Sequence, residues 1–310
     1  MDIARPHLQR LIIALIADTI GTARSRAVDP AEWSRWDAET TIDEDGVGID
    51  SLGRLDAVAR VNEFFHLHEL GTEDYLVVRR AIGDWVEVVA QTLAMKNDRL
   101  TFATSGSSGR PKKIPHRMDR LVDEVDAMTD VLAGEIDQIG LEAAPTRVLA
   151  FAPPHHIYGF LFGVLLPSRL GLDVVDGRLA APSRLRRASA GDLVVATPFI
   201  WRKLLDACPR IPNGVIGLSS SAPTPASVWR DASRQGLARL IEIYGSTETA
   251  GVGWRRSNRA GFALLPRFRR GAQDGTLVQE GPHGDDVLNA PDMLRWSSAR
   301  RFRPAGRRDE

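Results

Sequence analysis

An α/β core of mostly parallel strands with flanking helices, preceded by a small all-α bundle, is the fold this sequence predicts. Three observations lead there. Residues 1–95 repeat apolar side chains at helical spacing. From Leu100 onward, short β-rich runs alternate with helix-like segments, the pattern of a parallel sheet. The length, 310 residues, suits about two domains, so the change of texture near residue 96 is read as their boundary: 1–95 helical, 96–310 α/β.

In the first part, Leu8, Leu11, Ile12, Leu15 and Ile16 recur at the 3.6-residue period. A polar stretch from Arg24 to Gly48, with Pro30 and an acidic tract, reads as a long loop. Asp50-Ser51-Leu52 then opens a second helix, with Leu52, Leu55, Val58, Ala59, Val61 and Phe65 on one side. Shorter helices around Glu73–Arg79 and Ile82–Leu93 complete the bundle. Strands are expected at Leu100–Ala103, Arg147–Phe151, Leu193–Ala196 and Leu240–Ile243, each followed by a Gly, Pro or Ser cluster. The tail from Arg267 to Glu310 is rich in Arg and Gly, with weak strand signals near Leu277 and Arg301, and the chain has no internal repeat.

Composition narrows the function. At 43% hydrophobic and 26% charged the chain is an ordinary globular one, which excludes disorder, collagen and coiled coil. Forty basic and forty acidic side chains cancel, so no field favours nucleic acid or an anionic membrane, and any polyanion is held locally. Arg5 and Arg10 precede the apolar run Leu11–Ala17, but Asp2 and Asp18 bracket it and it is short, so it reads as an amphipathic helix and not a secretory signal. The apolar stretch Val148–Leu166 is broken by Pro153, Pro154, His155 and His156, too early for a membrane span. The single Cys208 fits a reducing cytoplasm.

Lysine is scarce, occurring only at 96, 112, 113 and 203, so its position is informative. After the strand at Leu100–Ala103 comes Thr104-Ser105-Gly106-Ser107-Ser108-Gly109-Arg110-Pro111-Lys112. Small and hydroxylated residues let backbone N–H groups approach phosphate oxygens, and Lys112 supplies a cation. The spacing is not that of a Walker A loop, which sets aside a P-loop NTPase; a plain Gly/Ser surface turn is the bland alternative. Farther on, Ile243-Tyr244-Gly245-Ser246-Thr247-Glu248-Thr249 puts a hydroxyl and a carboxylate at the carboxyl end of a strand, where open α/β sheets bind ligands. Glu248 suits Mg²⁺ and Thr247 a phosphate oxygen, although Ser or Thr before Glu also caps helices.

The two segments, in this order and about 140 residues apart, resemble the signature motifs of the adenylate-forming superfamily of acyl-CoA synthetases and AMP-ligases. Further segments fall in the family's order. Pro153-Pro154-His155-His156-Ile157-Tyr158-Gly159 resembles the histidine motif beside the acyl pocket, and His156 is the matching residue, though a lone histidine in an apolar stretch is often simply packed. Leu218 to Pro223 resembles the segment lining the adenine pocket, which implicates Ser221, Ala222 and Pro223. Gly275-Thr276-Leu277 through Gly281-Pro282 is similar to the next family stretch. Asp292 stands where the ribose-binding aspartate is expected, with Ala290-Pro291 in place of Thr-Gly, and Gly306-Arg307-Arg308-Asp309 matches the hinge, whose arginine contacts ribose. His156–Pro167 and Gly245–Arg255 look most like AMP-ligases of aryl polyene-type polyketide clusters.

The resemblance implies ATP- and Mg²⁺-dependent activation of an aryl or medium-chain carboxylic acid as acyl-AMP, followed by transfer to CoA or to a phosphopantetheine thiol. Thr104 to Gly109 and Lys112 would hold the β- and γ-phosphates, Thr247 the α-phosphate, Glu248 Mg²⁺, Tyr244-Gly245-Ser246 the nucleotide side, Asp292 and Arg307 the ribose, and His156 the acid. Small residues at Gly159, Gly163 and Ala222 leave room for the acyl group. Two departures qualify this. The chain stops just after the hinge, so the family's C-terminal domain with its lysine is expected to be absent or supplied by a separate chain; losing one such cation typically costs about 10²–10³ in rate. Residues 1–95 resemble an acyl carrier protein, with Ser51 of Asp50-Ser51-Leu52 at the position that takes phosphopantetheine and Phe64-Phe65 near the helix end. That reading brings in an acyl carrier function and a phosphopantetheinyl transferase as partner, against the plainer one that Asp50 or Ser51 caps the helix. The rival to an enzyme is a carrier fused to a degenerate adenylation core used for docking.

Overall fold

The computed structural model describes residues 3–95, 98–104, 112–141, 144–179, 181–273, 275–280, 284–290 and 292–307. They form two compact units, Met1–Asp119 with Pro153–Gly171, and Arg120–Ala152 with Leu172–Glu310. Among the described residues no helix is long and apolar enough to cross a membrane.

The first unit opens with α1 (Arg5–Ala23), where Pro6 is harmless because the first turn's N–H groups have no helical partner. Its periodic residues Leu8, Leu11, Ile12, Leu15 and Ile16 are all fully buried. The polar stretch that follows is a loop interrupted by one turn, α2 (Pro30–Trp33), capped by Asp29. Next comes α3 (Ser51–Phe65), whose start is fixed by the Asp50 carboxylate accepting the Gly53 N–H at 2.8 Å. Helices α4 (Glu73–Val78) and α5 (Ile82–Ala94) match the expected short pair. Strands β1 (Arg99–Ala103) and β2 (Lys113–Arg117) form an antiparallel hairpin. The first expected strand is therefore not part of the parallel sheet, because nine residues between Ala103 and Lys113 are too few for a parallel crossover.

The chain passes through α6 (Met118–Gln138) and β3 (Arg147–Ala150), then returns to the first unit as α7 (Ile157–Phe160), a π-helical turn (Leu161–Leu165) and α8 (Leu166–Leu170). Phe64 meets Phe65 and Phe102 edge-on at 4.9 and 5.1 Å, and Phe160 lies 5.4 Å from Phe102. The Arg10 guanidinium donates to the Gly163 carbonyl, and the Ala4 N–H to Ser168 Oγ at 3.2 Å. The helices of residues 1–95 thus share their core with β1 and with residues 157–170, and the break expected near residue 96 falls inside this unit. Phe64 and Phe65 are both fully buried in it.

The second unit contains β4 (Asp173–Asp176), α9 (Ala181–Arg186), β5 (Asp192–Ala196), α10 (Pro198–Ala207), β6 (Ile216–Ser219), α11 (Ala226–Arg234) and β7 (Arg239–Ser246). With β3 these give the expected parallel sheet, in the order β4-β3-β5-β6-β7. The remaining strands are β8 (Ala250–Arg255), β9 (Phe262–Leu264), β10 (Phe268–Arg270), β11 (Thr276–Gln279), β12 (Asp286–Asn289), β13 (Asp292–Ser298) and β14 (Arg301–Arg307). Strands β8, β9, β14 and β13 extend the sheet to nine, all antiparallel, while β10-β11-β12 make a separate antiparallel sheet. The core packed by α9, α10 and α11 centres on fully buried Trp201, whose indole N–H donates to the Leu218 carbonyl at 2.8 Å. Gly217 makes room for it, since a Cβ there would lie 2.5 Å from the Trp201 ring. Cys208 is buried in the same core, and burial pushes its thiol up, as suits a small packed residue.

Candidate active site

The residues expected to carry chemistry divide between the two units. In the first, Thr104 and Lys112 face each other at the open end of the β1–β2 hairpin: the Thr104 N–H donates to the Lys112 carbonyl at 2.8 Å, and the Lys112 N–H to Thr104 Oγ1 at 3.0 Å. The hairpin neck is thereby closed under the loop, and Lys112 is exposed. Ser105, Gly106, Ser107, Ser108 and Gly109 lie outside the described residues. His156 is the residue before α7; it is exposed, and its ring stands 4.5 Å from that of His155. Gly159 is buried in α7 and Gly163 in the π-helical turn. Such turns recur at functional sites, but this one was not legible beforehand. Ser51 is the exposed first residue of α3, where Asp50 and not Ser51 makes the cap.

In the second unit, the motif residues gather at the carboxyl ends of β6 and β7. Ser221, Ala222 and Pro223 are exposed in the turn after β6, with Ser221 in the left-handed region at φ 76°. Three buried hydrogen bonds hold that turn: Ser219 with Thr224 at 2.8 Å, Ser220 to the Ile243 carbonyl at 2.9 Å, and the Thr224 N–H to Glu242 Oε1 at 2.6 Å. Arg255 holds the other oxygen of Glu242. The backbone of Ser221–Pro223 is therefore presented to solvent on a rigid base.

Tyr244 and Gly245 lie in the last three residues of β7, and the hydroxyl of Tyr244 donates to Asp292 Oδ2 at 2.8 Å. The Tyr244 ring packs 5.5 Å from Phe262 and 5.3 Å from Phe302. Asp292, 48 residues away in sequence, opens β13 opposite Arg307 at the end of β14. The structure thus joins three residues that the sequence offered separately.

Ser246 and Thr249 close a tight turn between β7 and β8, with the Thr249 N–H donating to Ser246 Oγ at 3.2 Å and the Ser246 N–H to Thr249 Oγ1 at 3.2 Å. Thr247 and Glu248 sit at its tip, half-buried and exposed respectively. No helix follows, so Ser246 to Glu248 do not form a helix cap; β8 pairs back along β7 instead. The exposed carboxylate of Glu248 is a hard oxygen donor of the kind Mg²⁺ prefers, and the donor chemistry fits that ion.

One supporting group was missed. Glu124 of α6, fully buried, accepts the Gly251 N–H on both carboxylate oxygens, at 3.0 and 2.9 Å, and pairs with buried Arg267 at 2.7 Å. Burial pushes the Glu124 carboxyl up, against the pull of the Arg267 guanidinium and the Gly251 N–H. Gly251 is required here because a Cβ would fall 2.1 Å from Glu124 Oε1. This pair pins the start of β8, three residues beyond Glu248. A partner 127 residues away leaves no local signal in the sequence.

Known proteins resemble this chain in sequence and in fold. Residues 83–269, well over half of the chain, match the family model described as AMP-binding enzyme. The chain is 43% identical over 272 residues to a 4-coumarate--CoA ligase of Cereibacter sphaeroides, covering 87% of this chain and 63% of that protein. It is 39% identical over 310 residues to the 4-coumarate--CoA ligase of Rhodobacter capsulatus, covering 98% of this chain and 77% of that one. The chain therefore spans about two thirds to three quarters of these relatives. Among solved structures, an acyl-CoA synthetase (AMP-forming)/AMP-acid ligase II-like protein from Dyadobacter fermentans superposes with a TM-score of 0.51 at 20% identity, over 76% of this chain and 65% of that one, a likeness of fold. With Ser221–Pro223 and Tyr244–Glu248 at strand ends of a mixed α/β sheet and this much of its length matched, the chain belongs to the AMP-binding enzyme family of adenylate-forming proteins.

Proposed function

We propose that the chain activates a hydroxycinnamate-type acid, 4-coumarate in the naming of its relatives, as the acyl-adenylate and passes the acyl group to the thiol of CoA. The observation that carries the reading is the end of β7, where Tyr244 is hydrogen-bonded to Asp292 and the Thr247–Glu248 turn follows within four residues. In this reading the Tyr244 ring and the Ser221-Ala222-Pro223 backbone border the adenine, Asp292 and Arg307 take the ribose hydroxyls, and Thr247 donates to the α-phosphate. The loop from Thr104 to Lys112 surrounds the outer phosphates with N–H and hydroxyl donors and one ammonium. Glu248 would hold Mg²⁺, whose charge offsets that of the phosphates.

The substrate carboxylate oxygen attacks the α-phosphorus of ATP, a new P–O bond forms, and the bond to the bridging oxygen breaks, so that pyrophosphate leaves with the electron pair. The thiolate sulfur of CoA then attacks the acyl carbon and AMP leaves with the C–O electrons, the thiol proton having gone to solvent. His156, exposed at the start of α7, borders the acid, and the small Gly159 and Gly163 in the same stretch fit a planar aryl group.

CoA is preferred as acceptor because the match to the Rhodobacter relative covers 98% of the chain and that protein's name specifies CoA. A phosphopantetheine arm on Ser51 is the second acceptor, favoured by the exposure of that hydroxyl in the first turn of α3. The resemblance of His156–Pro167 and Gly245–Arg255 to aryl polyene ligases would, as a kinship, replace 4-coumarate with a related aryl acid. A docking role without turnover is the reading opposed by the exposed Glu248 and Lys112.

The test is acid-dependent exchange of labelled pyrophosphate into ATP with 4-coumarate, cinnamate and medium-chain fatty acids. Exchange is expected with 4-coumarate and should fall about 10²–10³-fold in Lys112→Ala and in Glu248→Gln, while their unfolding curves stay unchanged. Absence of exchange with every acid, with ATP still bound, would favour the docking role. Intact mass after coexpression with a promiscuous phosphopantetheinyl transferase decides Ser51: no added arm, or an arm that persists in Ser51→Ala, removes the second acceptor.

A further inference from the structure

Between α3 and α4 the first unit carries His66-Leu67-His68-Glu69, which the ligase reading does not use. Leu67 is fully buried and anchors the segment. His66 follows α3 with φ 52°, and the 3₁₀ turn Leu67–Glu69 brings the three polar side chains together. One ligand-capable atom from each of His66, His68 and Glu69 lies within 4.8 Å of the others. The two rings are stacked, 5.8 Å apart.

Hydrogen bonds decide how these rings are oriented. The His68 backbone N–H donates to Asn62 Oδ1 at 2.9 Å, which identifies that atom as the oxygen, and the same oxygen lies 3.1 Å from His68 Nδ1. Nδ1 must then be the protonated nitrogen, so the neutral ring keeps its lone pair on Nε2. His66 Nε2 stands 2.8 Å from Thr101 Oγ1, and its Nδ1 stands 3.0 Å from Glu69 Oε1. If Nδ1 carries the proton it donates to Glu69 and Nε2 accepts from the Thr101 hydroxyl; if Nε2–H donates to Thr101, the Nδ1 lone pair faces the carboxylate and the two can share a cation. This is the arrangement of metal-binding histidines, with one ring nitrogen for the ion and the other held by a hydrogen-bond partner.

We propose that His66, His68 and Glu69 form a site for a zinc-class divalent ion, oriented by Thr101 and Asn62. Two imidazoles and a carboxylate suit Zn²⁺ better than Mg²⁺ or Ca²⁺, and three protein ligands leave a position for water. The His68 and Glu69 side chains are exposed, so the ion has a path in. Because Asn62 belongs to α3 and Thr101 to β1, an ion here ties the end of that helix to the strand that leads into the Thr104–Lys112 loop. The competing occupant is a proton on Nδ1, which would leave His66 simply hydrogen-bonded to Glu69.

The experiment is titration of Zn²⁺ into the tag-free full chain, stripped with a chelator, against a chromophoric zinc indicator. One equivalent should bind and raise the unfolding temperature, and excess Mg²⁺ should not displace it. His68→Ala and Glu69→Gln should weaken binding more than about tenfold, and Thr101→Val, which touches no ion, by about 10–100-fold. His116→Gln should leave binding unchanged. No zinc uptake by the wild type, or equal uptake by a Glu69→Gln protein whose circular dichroism matches the wild type, would overturn the site in favour of the proton.

Discussion

Replacing Gly251 by alanine would put a methyl group where a carboxylate already lies. The new Cβ would be 2.1 Å from Glu124 Oε1 and 2.9 Å from its Cδ. Glu124 has no easy retreat, because it is fully buried and held by the Gly251 N–H and by Arg267, whose own side chain is only 7% exposed. Admitting the methyl group means giving up the hydrogen bonds from Gly251 and drawing the carboxylate off a buried guanidinium whose remaining partners, the carbonyls of Arg120 and Gly251, carry no full charge. Hydrogen bonds to charged groups contribute about 1.5–3 kcal/mol, and breaking a buried ion pair costs about 3–5 kcal/mol. We expect Gly251→Ala to lose about 3–5 kcal/mol, a fall in Tm on the order of 10 °C at about 2–4 °C per kcal/mol. Urea unfolding checks this, with the midpoint moving and the slope unchanged. Adding Glu124→Ala to Gly251→Ala should cost less than the sum of the two, since both break one contact. A Gly251→Ala protein within about 0.5 kcal/mol of the wild type would refute the close approach.

Two further outcomes follow from the same structure. Tyr244→Phe removes the hydroxyl that orients Asp292 but keeps the ring between Phe262 and Phe302. It should raise the KM for ATP about fivefold, the equivalent of about 1 kcal/mol, with kcat little changed; an unaltered KM would separate Asp292 from nucleotide binding. Asp43 is held below its ordinary value of 3.8, first by the Thr41 hydroxyl and then by the Gly46 N–H. Its folded value is the lower one, so its stabilising contribution is present above the ordinary value and is lost as pH falls through the lowered one. Asp43→Asn should therefore flatten the acid limb of the stability profile, and an unchanged limb would dismiss that contribution.

Much of this was legible in the residues because it was local. The period of Leu8 to Ile16 predicts α1, Asp50 predicts the start of α3, and the apolar runs at Leu193–Ala196 and Leu240–Ile243 fall within β5 and β7. The short motifs around Thr104 and Thr247 are legible for the same reason. Sheet direction was only half readable: the parallel strands announce themselves by the helices between them, whereas β8, β9, β14 and β13 follow tight turns whose pairing depends on what they meet. Contacts between distant residues were not readable at all. Nothing near Tyr244 points to Asp292, nothing near Gly251 to Glu124, and nothing in residues 1–95 says that Phe64 will be covered by Phe102 and Phe160. The helical texture of that region suggests a free-standing bundle because periodicity reports an apolar face and is silent about its partner.

The first unit takes Pro153–Gly171 from beyond Arg120–Ala152, so the chain crosses between units three times. Neither unit is a continuous piece of polypeptide. During synthesis the first cannot complete its core until residue 171 has been made, by which time β3 and all of α6 are already present and waiting for strands still to come. Until then the ring face of Phe102 that Phe160 will cover stays open. A gene cut at residue 119, as if between two modules, would release a fragment with that aromatic surface bare, a cut at 96 would bare Phe64 instead, and recombination between relatives would keep the first unit whole only where residues 1–119 and 153–171 come from one parent.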